Sequence, residues 1–266
     1  MQTVQSKDGT TIAYDTLGSG PTLIYITGAT CFRTFEPVAY DAQTFAQYFT
    51  VINYDRRGRS DSSNTLPYAI EREIEDIDAL IDAARGSAYL YGHSSGAVLA
   101  LEAALRLGDK VQKLVVNDAS YVQDEAEQQL YAELTAGLNM LLDEGHYEEA
   151  LTGFLHGIEM PNEAIDWMRQ SPQWATMTAL APMLAYDMLL TSAPPPLGRL
   201  AALHTPTCVL YGENSPASIH AVAGQLCATL PNATCQQLAG QDHMPSPQVV
   251  LEYLTAFLHP ETAPQQ

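Results

Sequence analysis

Gly92-His93-Ser94-Ser95-Gly96 falls directly after a short β-rich run, residues 88–91, and directly before a helix-like stretch, residues 97–107, that Gly108 closes. A strand that reverses into a helix this sharply forces its central residue into a strained backbone conformation. The turn closes only if small residues stand two positions to either side. That spacing lifts Ser94 above the end of a sheet. The helix that follows, starting near Ser95, aims free N–H groups and its positive dipole end at the same point, where an alkoxide or oxyanion is stabilised. A plain Gly-Ser turn ahead of a helix is the competing reading, and partners for Ser94 elsewhere in the chain decide between the two.

Around that turn, short β-rich runs alternate with helix-like stretches, the pattern of a mostly parallel sheet with helices on its faces. Asp8-Gly9 reads as a tight hairpin between two opening strands, the second at residues 11–14, and Gly18-Ser19-Gly20-Pro21 then breaks the chain. Residues 22–27 and 49–54 are apolar runs of buried-strand length with a helix between them. Residues 71–85 set Ile74, Ile77, Leu80, Ile81 and Ala84 at helical spacing, with acidic residues mostly on the other face. Residues 111–116 form the next strand. From about 121 to 203 the alternation stops, and helices punctuated by Gly145, Pro161, Pro172 and Pro194-Pro195-Pro196 read as an inserted cap. Strands at 207–211 and 235–238, with helices near 218–230 and 247–258, resume the sheet. The expected fold class is α/β, a mostly parallel doubly wound sheet of about eight strands. Residues 1–120 and 204–260 form its core, 121–203 a helical cap inserted after the sixth strand, and 261–266 a frayed tail.

Composition narrows the function. The 266 residues, 46% of them hydrophobic, suffice for one full-sized core, and an excess of acids leaves a formal charge of −19 that repels phosphate backbones and anionic lipid. Nucleic-acid and membrane partners are therefore not expected. After Lys113 the only basic residues are Arg169 and Arg199, so the second half is unwelcoming to a strongly anionic substrate. No apolar run approaches the ~20 residues of a spanning helix, and residues 1–7 lack a basic and greasy leader, so the expected location is cytoplasmic. Cys31, Cys208, Cys227 and Cys235 follow no C-x-x-C spacing and read as thiols rather than a disulfide frame or zinc site. Neither nucleotide-binding glycine motifs nor H-E-x-x-H occur, so no cofactor and no metal is expected.

With Ser94 in its elbow, Asn53-Tyr54-Asp55-Arg56-Arg57-Gly58-Arg59-Ser60 at a strand end and Gly240-Gln241-Asp242-His243-Met244-Pro245 after the last strand, the chain resembles the α/β-hydrolases from Thr11 to Leu258. The resemblance implies that His243 is the general base for Ser94, while His93 shapes the elbow. Arg56, Arg57 and Arg59 read as structural. Such enzymes commonly carry an Asp after the seventh strand, where this chain has Ser215, and a serine supplies no negative charge. Asp118, at the end of the sixth strand, is the preferred replacement, because strand ends of a doubly wound sheet gather on one edge. A helix cap on the segment entering the insertion is the competing role for Asp118. Glu213 is the runner-up acid, and adjacent Asp242 would have to fold back on itself. By the same resemblance the oxyanion is bound by the amides of Ala29 and Ser95, with Thr27 standing where many relatives have His.

The implied function is a serine hydrolase. It cleaves small to medium, largely apolar carboxylic esters through an acyl-enzyme, and its partner is that small-molecule substrate. Lactones, thioesters and carbon–carbon bonds stay open as acyl substrates, and so does a non-catalytic ligand binder on a hydrolase scaffold. Methionines and both tryptophans of the insertion suit an adaptable pocket wall, although most of them are expected to glue helices to the core. No oligomeric state is read from the sequence.

Overall fold

The central strands are apolar at consecutive positions because the sheet is covered on both faces, so odd and even residues each find a core. The computed structural model describes residues 1–158 and 160–258, and the expected tail 261–266 lies outside the described residues, as does His259. A hairpin of β1 (Gln2–Gln5) and β2 (Thr11–Leu17) opens the chain, turning at Asp8-Gly9 as expected. Then follow β3 (Thr22–Ile26), α1 (Glu36–Phe45), β4 (Thr50–Tyr54), α2 (Ile70–Ala83), β5 (Ala88–His93), α3 (Ser95–Leu107) and β6 (Val111–Asn117). The helices α4 (Glu125–Asp143), α5 (Tyr147–Gly157), α6 (Asn162–Gln170), α7 (Trp174–Ala179), α8 (Leu184–Thr191) and α9 (Leu197–Leu200) intervene before the sheet resumes. It ends with β7 (Thr207–Gly212), α10 (Ala217–Thr229), β8 (Ala233–Leu238) and α11 (Pro247–Leu258).

Eight strands lie in the order β1-β2-β4-β3-β5-β6-β7-β8. The first two pair antiparallel, β2 joins β4 antiparallel, and the rest are parallel. Ile24, Ile26, Leu90, Leu114, Val116 and Val209 face α2, α3 and α10, while Leu23, Tyr25, Tyr91, Val115 and Leu210 face α1 and α11. Parallel strands end together, so β3, β5, β6, β7 and β8 present their following loops along one edge of the sheet. The expected residues follow those ends: Ala29 after β3, Ser94 after β5, Asp118 after β6 and His243 after β8.

The helices between β6 and β7 break where the sequence signals predict. Gly145, with φ 78°, separates α4 from α5, and Pro161 precedes α6. Their own core gathers Leu138, Leu151, Phe154, Ile165, Met177, Leu184 and Met188 around Phe32, with Ala29 and Phe35 packed against it. Most of the insertion's methionine and aromatic side chains are thus glue or surface; Met140 and Trp167 are exposed. Among the described residues no helix is long and apolar enough to cross a membrane.

One expectation fails. Cys227 on α10 and Cys235 on β8 form a disulfide, leaving Cys31 and Cys208 as thiols. The spacing carries no motif because the bridge is made by packing: α10 returns along β8 and brings the two Cα atoms to 6.1 Å. The native, unreduced protein unfolded in denaturant is therefore expected to show two reactive thiols rather than four. Cys235→Ser is expected to cost about 2–3 kcal/mol in a denaturant titration, the loop-closure value for a short bridge. Because disulfides persist in oxidising compartments, the same thiol count also probes the cytoplasmic expectation.

Candidate active site

Ser94 sits at φ 58°, ψ −127°, a region that an L-residue enters only under constraint. The constraint is steric: a Cβ at Gly96 would lie 2.1 Å from the Ile26 carbonyl oxygen, so β5 turns into α3 directly against β3 and only glycine fits. Gly28 in turn lies against the serine, where an added Cβ would come within 2.9 Å of Ser94 Cβ. The Ser94 hydroxyl emerges half-buried at the mouth of this crowded turn.

His243 brings its Nε2 to 3.2 Å from Ser94 Oγ and its Nδ1 to 3.0 Å from Asp118 Oδ2. An ionised carboxylate only accepts, so Nδ1 carries the proton and Nε2 is left to accept from the serine. Asp118, at φ 47° and fully buried, caps no helix. Its Oδ1 accepts from the Gly212 amide at 3.0 Å, and its Oδ2 accepts also from Ser215 Oγ at 2.6 Å. Burial works to raise the Asp118 carboxyl, but the hydrogen bonds from His243 and Ser215 and the attraction of the His243 charge hold it below the usual carboxylate range. Ser215, at the position where the resemblance leads one to expect an acid, thus donates to Asp118 instead. The alternative acids are engaged elsewhere: Glu213 accepts from the Gly240 amide at 2.7 Å, and Asp242 from the Met244 amide at 2.9 Å.

Ser95 opens α3 with its side chain buried, and Ala29 lies in the loop after β3. Among the described residues neither amide N–H donates to a protein acceptor. Arg59 Nη1 takes the carbonyls of Gly28 at 2.6 Å and Cys31 at 3.0 Å. In a trans peptide the C=O and the next N–H point opposite ways, so holding the Gly28 oxygen on Arg59 directs the Ala29 N–H to the other side. Arg56, Arg57 and Arg59 are buried and structural, as expected, and none is an exposed basic patch.

Two neighbours escaped the sequence reading. Ser120 places its Oγ 3.1 Å from Ser94 Oγ and donates to the Asp118 carbonyl at 3.2 Å, a loop contact with no sequence pattern. Asp187 of α8 accepts from Ser95 Oγ, Arg56 and Arg59. Its signal was present: a lone acid within the apolar run of residues 184–190.

His93 packs against His243, ring centroids 5.0 Å apart, and its Nε2–H donates to the His243 carbonyl at 2.7 Å. Burial, with the neighbouring His243 charge, pushes its pKa down to about 4. An unfolded histidine takes its proton near pH 6.5, so between the two values the unfolded chain binds more protons. The contribution is full above about pH 6.5 and lost as pH falls toward 4, by about 3 kcal/mol. Melting curves across that window are expected to show wild type losing more stability on acidification than His93→Gln.

Known hydrolases resemble the chain over nearly its whole length. The sequence pattern of the Alpha/beta hydrolase family matches residues 12–252. The crystal structure of an alpha/beta hydrolase from Sphaerobacter thermophilus DSM 20745 superposes with a TM-score of 0.86 at 40% identity, covering 97% of this chain and 100% of that one. An esterase from Rhodococcus sp. ECU1013 shares the fold at 19% identity, with a TM-score of 0.71 and 98% of each chain covered. A 2-(acetamidomethylene)succinate hydrolase from Mesorhizobium japonicum is 29% identical over 91% of this chain and 89% of its own. An elbow serine, a histidine after the last strand and a family match spanning nearly the whole sheet lead to one conclusion: this chain belongs to the alpha/beta hydrolase family.

Proposed function

We propose that the chain is a serine hydrolase of uncharged carboxylic esters. The observation that carries this reading is the hydrogen-bonded line from Ser94 Oγ through His243 to Asp118 Oδ2, at 3.2 and 3.0 Å. In this mechanism His243 Nε2 takes the Ser94 proton as Oγ attacks the ester carbonyl carbon. The oxyanion is held between the Ala29 and Ser95 amides, and its collapse expels the alkoxide, which leaves as alcohol with the proton from His243. Water, deprotonated by His243, then attacks the acyl carbon; the Oγ–C bond breaks, Ser94 Oγ takes the proton back from His243, and the carboxylic acid is freed. Asp118 holds the Nδ1–H tautomer and balances the imidazolium as it forms.

Two features support an uncharged, largely apolar acyl group. The loop bearing Ala29 packs into the apolar core of the insertion beside Phe32 and Phe35. Arg33, Arg56, Arg57 and Arg59 are each saturated by acids of the chain itself, so these buried guanidiniums offer no free charge to a substrate carboxylate. The relative named for a succinate derivative keeps a different acyl substrate as the second reading, and the saturated arginines weigh against a dicarboxylate for this chain.

Hydrolysis of p-nitrophenyl esters of increasing acyl length tests the proposal. Turnover is expected for wild type and none above background for Ser94→Ala, with Asp118→Asn down by about 10⁴ because the wrong tautomer then faces the serine. Glu213→Gln is expected to stay within about twofold, since surface changes away from the reacting groups leave transition-state binding intact. A folded wild type no faster than Ser94→Ala on every ester would contradict the reading and leave the inert binder in its place.

A further inference from the structure

We propose that Asp187, contributed by the helical insertion, is a positioning residue for oxyanion stabilisation, acting through Ser95 and Arg59; this rests on the serine-hydrolase reading above. Asp187 is buried on α8, and its Oδ1 accepts from Ser95 Oγ at 2.7 Å and from Arg56 Nη1 at 2.7 Å. Arg59 Nη2 reaches its Oδ2 at 2.7 Å and its Oδ1 at 3.0 Å. The other nitrogen of the same Arg59 fork carries the carbonyls of Gly28 and Cys31, which flank Ala29 on both sides. One carboxylate is therefore tied to both walls of the oxyanion hole. It reaches the first residue of α3 through a hydroxyl, and the loop after β3 through a guanidinium that sets which way the Ala29 N–H points.

Stability does not account for this use of charge. Arg56, Arg59, Glu73 and Asp187 form a buried cluster whose charges cancel, held by the Arg56–Glu73 and the two Asp187 pairs. Such clusters are often no more stable than apolar residues of the same volume, whereas their geometry is unusually well defined. What they supply is fixed direction, and oxyanion donors need it, because they work only when held in place before charge develops. Asp187 itself is anchored in turn: its carbonyl accepts from Thr191 Oγ1 at 3.0 Å, and Tyr131 Oη lies 2.6 Å from that hydroxyl. The arrangement makes α8 part of the machinery for transition-state charge rather than only a roof over Ser94.

The test separates positioning from folding. Ser95→Ala removes the hydroxyl that Asp187 holds while leaving the Ser95 amide in place. Arg59→Lys keeps the charge but loses the fork, and Asp187→Asn removes the charge. For each variant kcat and KM would be measured on the best p-nitrophenyl ester, together with the Ki of a phenylboronic acid, whose tetrahedral Ser94 adduct places an oxygen where the oxyanion forms. The expected result is kcat lower by about 10-fold for Ser95→Ala and about 10²-fold for Asp187→Asn. KM should stay within about twofold, and the boronate Ki should rise by the same factor as kcat falls. If Asp187→Asn does not fold, Ser95→Ala and Arg59→Lys carry the test alone. An unchanged kcat in the folded variants overturns the proposal, as does a fall in kcat with unchanged boronate Ki, which reports only a smaller folded fraction. A wild type that neither hydrolyses the esters nor binds the boronate overturns the serine-hydrolase reading and this inference together; an active wild type with unaffected variants overturns this inference alone.

Discussion

A carboxylate shut away from water must be compensated where it lies, and the buried charge of Asp118 organises the site around it. Its donors come from separate places: Gly212 at the end of β7, Ser215 in the loop that follows, and His243 after β8. Each donor belongs to a different strand end or loop, so satisfying one acid fixes β6, β7 and β8 relative to one another at their C-terminal edge. The histidine placed in this way meets Ser94, which the crowding of α3 against β3 has already lifted into reach. Removing the Asp118 charge would set His243 Nδ1 against a neutral group that can donate as well as accept, so its tautomer would no longer be fixed.

A second, independent polar layer lies behind the first. The arginines of the loop after β4 point inward and are held by Glu73, Asp76, Asp8 and Asp187, so they behave as a cross-link among α2, the β1–β2 hairpin and α8. Breaking any one such buried pair leaves a charge without its partner, at a cost of about 3–5 kcal/mol. Through Arg59 the layer holds the Gly28 and Cys31 carbonyls of the loop bearing Ala29. The apolar core of the insertion packs against that loop near Phe32. The loop after β3 is thus held both by hydrogen-bonded charge and by close-packed apolar side chains.

Most of this edge was legible in the chain because it follows from local rules. Glycines around Ser94 announce a turn and apolar strands announce a doubly covered sheet whose strand ends converge, which makes Asp118 a candidate beside Glu213, while only the family resemblance singles out His243; the structure brings Asp118 and His243 together from 125 residues apart. What escaped depends on packing between distant elements. Cys227 and Cys235 meet only because α10 returns along β8. Ser120 reaches Ser94 through the path of a loop, and the partner of Ser95 Oγ comes from a helix 92 residues away. Ser215 shows the limit from the other side. Its place after the seventh strand reads as a missing acid, whereas its hydrogen bond to Asp118 depends on a geometry that the linear order does not contain.

We propose that Ser94 is a nucleophile activated by His243 and Asp118. The most direct measurement is peptide-level mass spectrometry of the native protein after reaction with a fluorophosphonate. One phosphonyl group per chain is expected, bonded to Ser94 Oγ with loss of fluoride. A folded protein that takes up no label, or carries it on another residue, would rule out Ser94 as the nucleophile.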